Sequence, residues 1–102
     1  MGFLDMLGFG NKSENIKIFI EKGAVIIDVR SPGEFASGHI KDSTNIPLDT
    51  ISSRIAEIKN LNKPVIACCR SGMRSAQATS ILKQNGIEAL NGGGWDSLNR
   101  KL

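Results

Sequence analysis

At 102 residues the chain has room for one domain and not for two independent cores. Its 40% hydrophobic and 23% charged content are ordinary for a soluble globular protein. Thirteen Lys and Arg against ten Asp and Glu leave a formal charge of +3 with no basic run or aromatic-studded stripe, which argues against nucleic acid as a partner and favours small anions.

The first ten residues, MGFLDMLGFG, are apolar, but they lack a basic leading region, are broken by Asp5 and run into no small-residue cleavage pattern. Met6 stands where a myristoylation signal wants Ser or Thr. No run approaches the ~20 apolar residues of a membrane span. Residues 1–13 are therefore expected to be a short packed or frayed segment ahead of a domain covering residues 14–102. The missing export signal points to the cytoplasm.

Ser13 can cap a helix whose apolar face is Ile16, Phe19 and Ile20, with Gly23 as its stop. Ala24 to Val29 is a short, nearly continuous apolar run, the pattern of a strand buried on both faces. Ser31-Pro32-Gly33 signals a turn, and a loop-rich stretch runs to Pro47. Asp49 or Thr50 can cap the next helix, where Ile51, Ile55 and Ile58 share a face that Leu61 extends. Pro64 introduces a second strand, Val65 to Cys68. A loop from Cys69 to Met73 leads into a helix bearing Ala76, Ala78, Ile81 and Leu82 and ending at Asn85-Gly86. A short strand, Ile87 to Leu90, precedes Gly92-Gly93-Gly94 and a last helical stretch around Trp95 and Leu98. Strands alternating with helices imply an α/β fold with a mainly parallel sheet. Ligands in such sheets sit beyond the carboxyl ends of the strands, and Cys69 is the reactive side chain placed there.

Cys68 and Cys69 are the only cysteines, and neighbours cannot make a useful disulfide framework. With a single His in the chain they are also a poor zinc set, so neither a metal nor a cofactor is expected. Free thiols fit a reducing compartment.

The segment Cys69-Arg70-Ser71-Gly72-Met73-Arg74-Ser75 carries the chemistry. A thiol leaves a strand, a Gly-containing loop follows, and a helix begins. The helix N-terminus offers unpaired N–H groups and partial positive charge. Gly72 lets the backbone curl until several N–H groups point at one spot, a nest for an anion. An ordinary thiol is only about 3% ionised at pH 7; a pKa near 6.5 makes that about 75%. Arg70 and Arg74 add charge and can hold an anionic substrate. His39 is the only candidate base, and nothing in the sequence places it nearby. Attack by a lone thiolate on a sulfur–sulfur bond is the chemistry that fits.

With these pieces in hand, residues 14–102 resemble the rhodanese family. The matching pieces are Ile27-Asp28-Val29-Arg30, Glu34-Phe35, Gly38-His39-Ile40, Asn45-Ile46-Pro47, the loop Cys69 to Ser75, and Asn91-Gly92-Gly93-Gly94-Trp95. The resemblance implies a three-layer α/β/α domain with a central, mainly parallel five-stranded sheet. It also implies a catalytic Cys69 on a loop running to Arg74, with Arg70, Ser71, Gly72, Met73, Arg74 and Ser75 binding substrate. The reaction it implies moves sulfur from thiosulfate, polysulfide or a persulfide to cyanide or to a thiol, carried by a small molecule or a thioredoxin-like protein. The edge strand that family members often place before the first helix has no clear counterpart here.

Cys68 opens a second register. Cell-cycle phosphatases of the same fold need a Cys and an Arg six positions apart, which Cys68 and Arg74 satisfy, and arsenate reduction would use the same register. Strand alternation favours Cys69, because it makes Cys68 the last strand residue and turns it into the packing layers. A persulfide carrier that serves a protein partner is a third reading. Asp28 and Arg30 are read as braces of the strand end, His39 as a satisfied loop histidine, and Trp95 as core.

Overall fold

The computed structural model describes residues 12–102. The expectation for the leading segment falls mainly on residues 1–11 and lies outside the described residues. The elements in chain order are α1 (Lys12–Glu21), β1 (Val25–Asp28), α2 (Pro32–Ala36), β2 (Thr44–Asn45), α3 (Ile55–Asn60), β3 (Val65–Cys69), α4 (Met73–Gln84), β4 (Ala89–Gly94) and α5 (Trp95–Arg100). Two short 3-10 turns, Leu48–Thr50 and Ser52–Arg54, lead into α3.

The strands form one parallel sheet in the order β2-β1-β3-β4. The chain leaves β1 toward β2 on one side and leaves β3 toward β4 on the other. The crevice between the carboxyl ends of β1 and β3 is therefore the point where the winding reverses, where α/β sheets bind their ligands. All five residues of β3 are buried, and alternation sends them into two cores. Val65, Ala67 and Cys69 join Ile58 of α3 with Ala78 and Leu82 of α4. Ile66 and Cys68 join Ile16 of α1 with Leu98 of α5, Trp95 packing alongside.

Several expectations need correction. Five strands were expected, and the described residues contain four. The family's edge strand would precede α1, among residues outside the description. The stretch from Ser31 to Pro47 is not all loop: it holds α2 and β2, each too short to show periodicity. A capping box starts α2: the Ser31 hydroxyl accepts from the Glu34 amide, and the Glu34 carboxylate accepts from the Ser31 amide. Asp49 and Thr50 are not helix caps but lie within the first 3-10 turn. The last strand is Ala89–Gly94 rather than Ile87 to Leu90, so the glycine run sits in the sheet.

The carboxyl end of β1 is braced by a buried ion pair. The Arg30 guanidinium donates to both Asp28 oxygens at 2.7–3.0 Å and to the Gly38 carbonyl at 2.6 Å. Its carbon lies 4.7 Å from the Trp95 ring centre, which ties the loop after α2 to α5. Asn45 donates to the carbonyls of Asp28 and Arg30 and fixes β2 to the same corner.

The pairing of β3 with β4 shifts register between Ala67, opposite Asn91, and Cys68, opposite Gly93. Gly92 is the extra residue at this bulge. A Cβ there would stand 2.8 Å from Ile66 Cγ2, 2.9 Å from Leu98 Cδ2 and 3.1 Å from the Ala67 carbonyl. Gly92→Ala is expected to destabilise the fold by about 1–3 kcal/mol through overpacking. A urea titration should show a lower midpoint at unchanged slope, whereas an unmoved midpoint would mean the site relaxes freely.

Candidate active site

Cys69 ends β3, and its sulfur faces the first turn of α4. Gly72 caps that helix in a left-handed conformation, with φ of 98°. A Cβ on Gly72 would lie 3.3 Å from Gly93 Cα, so both the backbone angle and the close approach to β4 require glycine. The sharp turn swings the Gly72 amide back onto the Cys69 sulfur at 3.0 Å, and the Ser75 amide reaches it at 3.4 Å. The Ser75 hydroxyl oxygen lies 3.3 Å from the same sulfur.

Cys69 is 0% exposed, and burial alone raises a thiol pKa. The Ser75 hydroxyl, with the amides of Ser75, Gly72 and Ser71, outweighs that burial and holds the thiol below its ordinary value. Cys68 shows the contrast. Equally buried in the opposite core, it is pushed up to about 12 by burial, then by the Asp28 charge, against only partial relief from Arg30. Two adjacent thiols thus have opposite tendencies because one meets donors and the other does not. The register that needs Cys68 as nucleophile gains no support from this geometry.

The loop residues divide. Arg70 and Ser71 are exposed, Met73 is 76% exposed, and Ser75 is fully buried. Arg74 turns sideways into a two-pronged pair with Glu34 of α2, at 2.8 and 3.1 Å. Arg74, then the amide and hydroxyl of Ser31, hold the Glu34 carboxyl at about 2, so the pair persists throughout the neutral range. Arg74 therefore clamps the loop to α2. Arg70 has no carboxylate partner among the described residues. His39 stacks on Phe35 with ring centres 3.7 Å apart and donates from Nδ1 to the Phe35 carbonyl, which leaves it an exposed, locally satisfied histidine. Among the described residues no titratable base touches the Cys69 sulfur. Among the described residues no group of three or more His, Cys, Asp or Glu converges to hold a metal ion.

Three residues at the site carried no role in the sequence reading. Glu34 had a local signal in the Ser31 to Glu34 capping-box spacing, but its partner lies 40 positions on. Asn91 was visible as a polar residue between an apolar strand and a glycine run; it bonds Ser75, Gly72 and Gly93. Lys12 gave no signal. Its ammonium lies 2.6 Å from where a Cβ on Gly93 would stand, so the start of α1 brings a cation to the end of β4 beside the loop.

A model of the Rhodanese-like domain matches residues 12–100. The uncharacterized protein YqhL of Bacillus subtilis is 44% identical over 63 residues, 62% of this chain and 49% of its own length. A sulfurtransferase of Allochromatium vinosum is 40% identical over 61% of this chain and 57% of its own. The chain thus spans about half the length of these curated relatives. The thiosulfate sulfurtransferase GlpE of Pseudomonas syringae is 36% identical over 72% of this chain and 69% of its own. Among solved structures, a rhodanese with anions from E. coli superposes with a TM-score of 0.65 at 35% identity, covering 72% of this chain and 88% of that one. A rhodanese-like domain protein of Staphylococcus aureus gives 0.70 at 32% identity over 85% and 86%.

Following thiolate absorbance in the ultraviolet against pH should give a first step centred below the ordinary thiol value of about 8.5. That step should vanish in Cys69→Ser and survive in Cys68→Ser. A first step that tracks Cys68 would reverse the assignment.

Proposed function

Since this chain belongs to the rhodanese-like domain family, we propose that it is a sulfurtransferase that carries sulfur as a persulfide on Cys69, bound by the loop from Arg70 to Ser75. The observation that carries the reading is a buried sulfur ringed by hydrogen-bond donors, with no base in contact among the described residues, at the winding reversal of a parallel sheet.

The Cys69 thiolate attacks the outer sulfur of thiosulfate. A sulfur–sulfur bond forms to Cys69, the bond to the sulfonate sulfur breaks, and sulfite leaves with the electron pair. The product is a Cys69 persulfide anion. A thiolate acceptor then attacks the outer sulfur, leaves as a persulfide, and returns Cys69 as thiolate. Both steps exchange one sulfur anion for another, so neither needs a proton moved to or from a side chain. Polysulfides and persulfides enter the same way, and cyanide accepts the sulfur as thiocyanate. Two half-reactions through one covalent form give ping-pong kinetics.

Arg70 is the residue that meets the donor's sulfonate, because its charge is exposed and uncommitted while Arg74 is held by Glu34. A hollow of about 560 Å³, lined by Val29, Pro32, Pro47, Leu48 and Arg74 among others, adjoins the loop and offers mainly apolar surface to an organic thiol. A small thiol or a thioredoxin-like protein in the cytoplasm is the acceptor this reading expects. The cysteine phosphatase and arsenate reductase readings would require the thiol whose pKa stands at about 12.

Protein treated with thiosulfate, freed of excess and weighed intact should gain one sulfur in wild type and Cys68→Ser but not in Cys69→Ser. Gain in Cys69→Ser would overturn the proposal. Loading with slow release to small thiols and fast release to a protein thiol would identify a carrier instead of a free-standing enzyme. Arg70→Ala should raise the KM for thiosulfate roughly tenfold, the scale of one charge-assisted contact, and change kcat little. An equal fall in kcat with KM unmoved would assign Arg70 elsewhere.

A further inference from the structure

Asn91 lies outside the loop, on β4, yet three hydrogen bonds tie it to the site. Its Oδ1 accepts from the Gly93 amide at 2.9 Å, and its Nδ2 donates to the Gly72 carbonyl at 3.1 Å. These partners fix the amide's orientation, since an N–H needs an acceptor and a carbonyl needs a donor. Oδ1 is therefore the atom 2.6 Å from the Ser75 hydroxyl, and an amide oxygen only accepts. The one proton of Ser75 is spent on Asn91.

The Ser75 oxygen then has only lone pairs to offer the Cys69 sulfur 3.3 Å away, and the sulfur must be the donor. That arrangement suits a neutral thiol: S–H to Ser75 to Asn91. When the sulfur becomes an anion, a lone pair would face it across the same contact. The hydroxyl must rotate and donate to sulfur, and Asn91 Oδ1 keeps only the Gly93 amide.

We propose that Asn91 is a positioning residue that competes with the Cys69 sulfur for the single hydroxyl proton of Ser75, holding it while the sulfur is protonated and releasing it when the sulfur is an anion. The inference rests on Cys69 being the sulfur-carrying group. Its measurement reads the proton on Cys69, not sulfur transfer, so failure of the one is distinguishable from failure of the other.

The test is the thiolate titration in Asn91→Leu, which removes the competing acceptor at similar size. The acid dissociation constant of Cys69 should rise roughly three- to tenfold, the span of one neutral hydrogen bond. In Ser75→Ala the constant should fall, and adding Asn91→Leu to that variant should change nothing further. The charges around Cys69 stay the same in all three: Arg70, Arg74 paired with Glu34, Lys12 of α1, and Asp28 with Arg30 beyond Cys68. A purely structural Asn91, anchoring the Gly72 carbonyl, predicts the opposite sign, because a loosened loop loses donors to sulfur. An unchanged or weaker acid in folded Asn91→Leu overturns the proposal, as does a stronger acid that persists without Ser75. Wild type supplies a second test that needs no variant. The Gly93 amide resonance should titrate with the midpoint of Cys69, since the proton leaving Oδ1 alters its only other bond. A Gly93 amide indifferent to that midpoint, while the Gly72 amide responds, also overturns it.

Discussion

The proposed function turns on a single conflict: the sulfur that has to act as an anion is buried where anions are disfavoured. Desolvation raises the Cys69 pKa, and only directed donors reverse it. Those donors are the Ser75 hydroxyl and the amides around the first turn of α4, which the left-handed Gly72 aims inward. Because backbone amides carry no formal charge and do not titrate, the site favours the anion without placing a permanent cation on the sulfur. Burial then keeps water from weakening the same contacts.

Holding such a turn in place needs rigid neighbours, and most of the polar network outside the loop serves that purpose. The Arg74–Glu34 pair fastens the loop to α2, whose own start is fixed by Ser31. The Asp28–Arg30 pair fastens the end of β1 to Gly38 and, through the ring of Trp95, to α5. Asn91 and the glycines after it bring β4 against the turn closely enough that Gly72 meets Gly93. A buried ion pair such as Asp28–Arg30 is poor evidence for stability, since its desolvation cost is large. Its value here is geometric.

What was readable in the sequence is what local pattern determines. Ala24 to Val29 and Val65 to Cys68 announced buried strands because apolar β-branched runs have few alternatives, and the structure shortens one by a residue at each end and lengthens the other by one. The helix after the loop followed from its periodicity and its Asn85-Gly86 stop. That Cys68 and Cys69 face opposite layers followed from strand alternation. What escaped was set by distant partners. Gly92 to Gly94 look like loop, yet Gly93 and Gly94 pair with Cys68 and Cys69, and Gly92 bulges where Ile66 and Leu98 leave no room for a side chain. Both loop arginines read alike until Glu34, folded back from 40 positions away, claimed one of them. Strand β2 spans two residues and exists only through its pairing with β1.

Strand alternation has one more consequence. Cys68 and Cys69 are neighbours in the chain, but their side chains leave opposite faces of the sheet, and the chain holds no other thiol. On the proposed reading, a persulfide on Cys69 therefore meets no second cysteine from these 102 residues, and an external thiol has to take its sulfur.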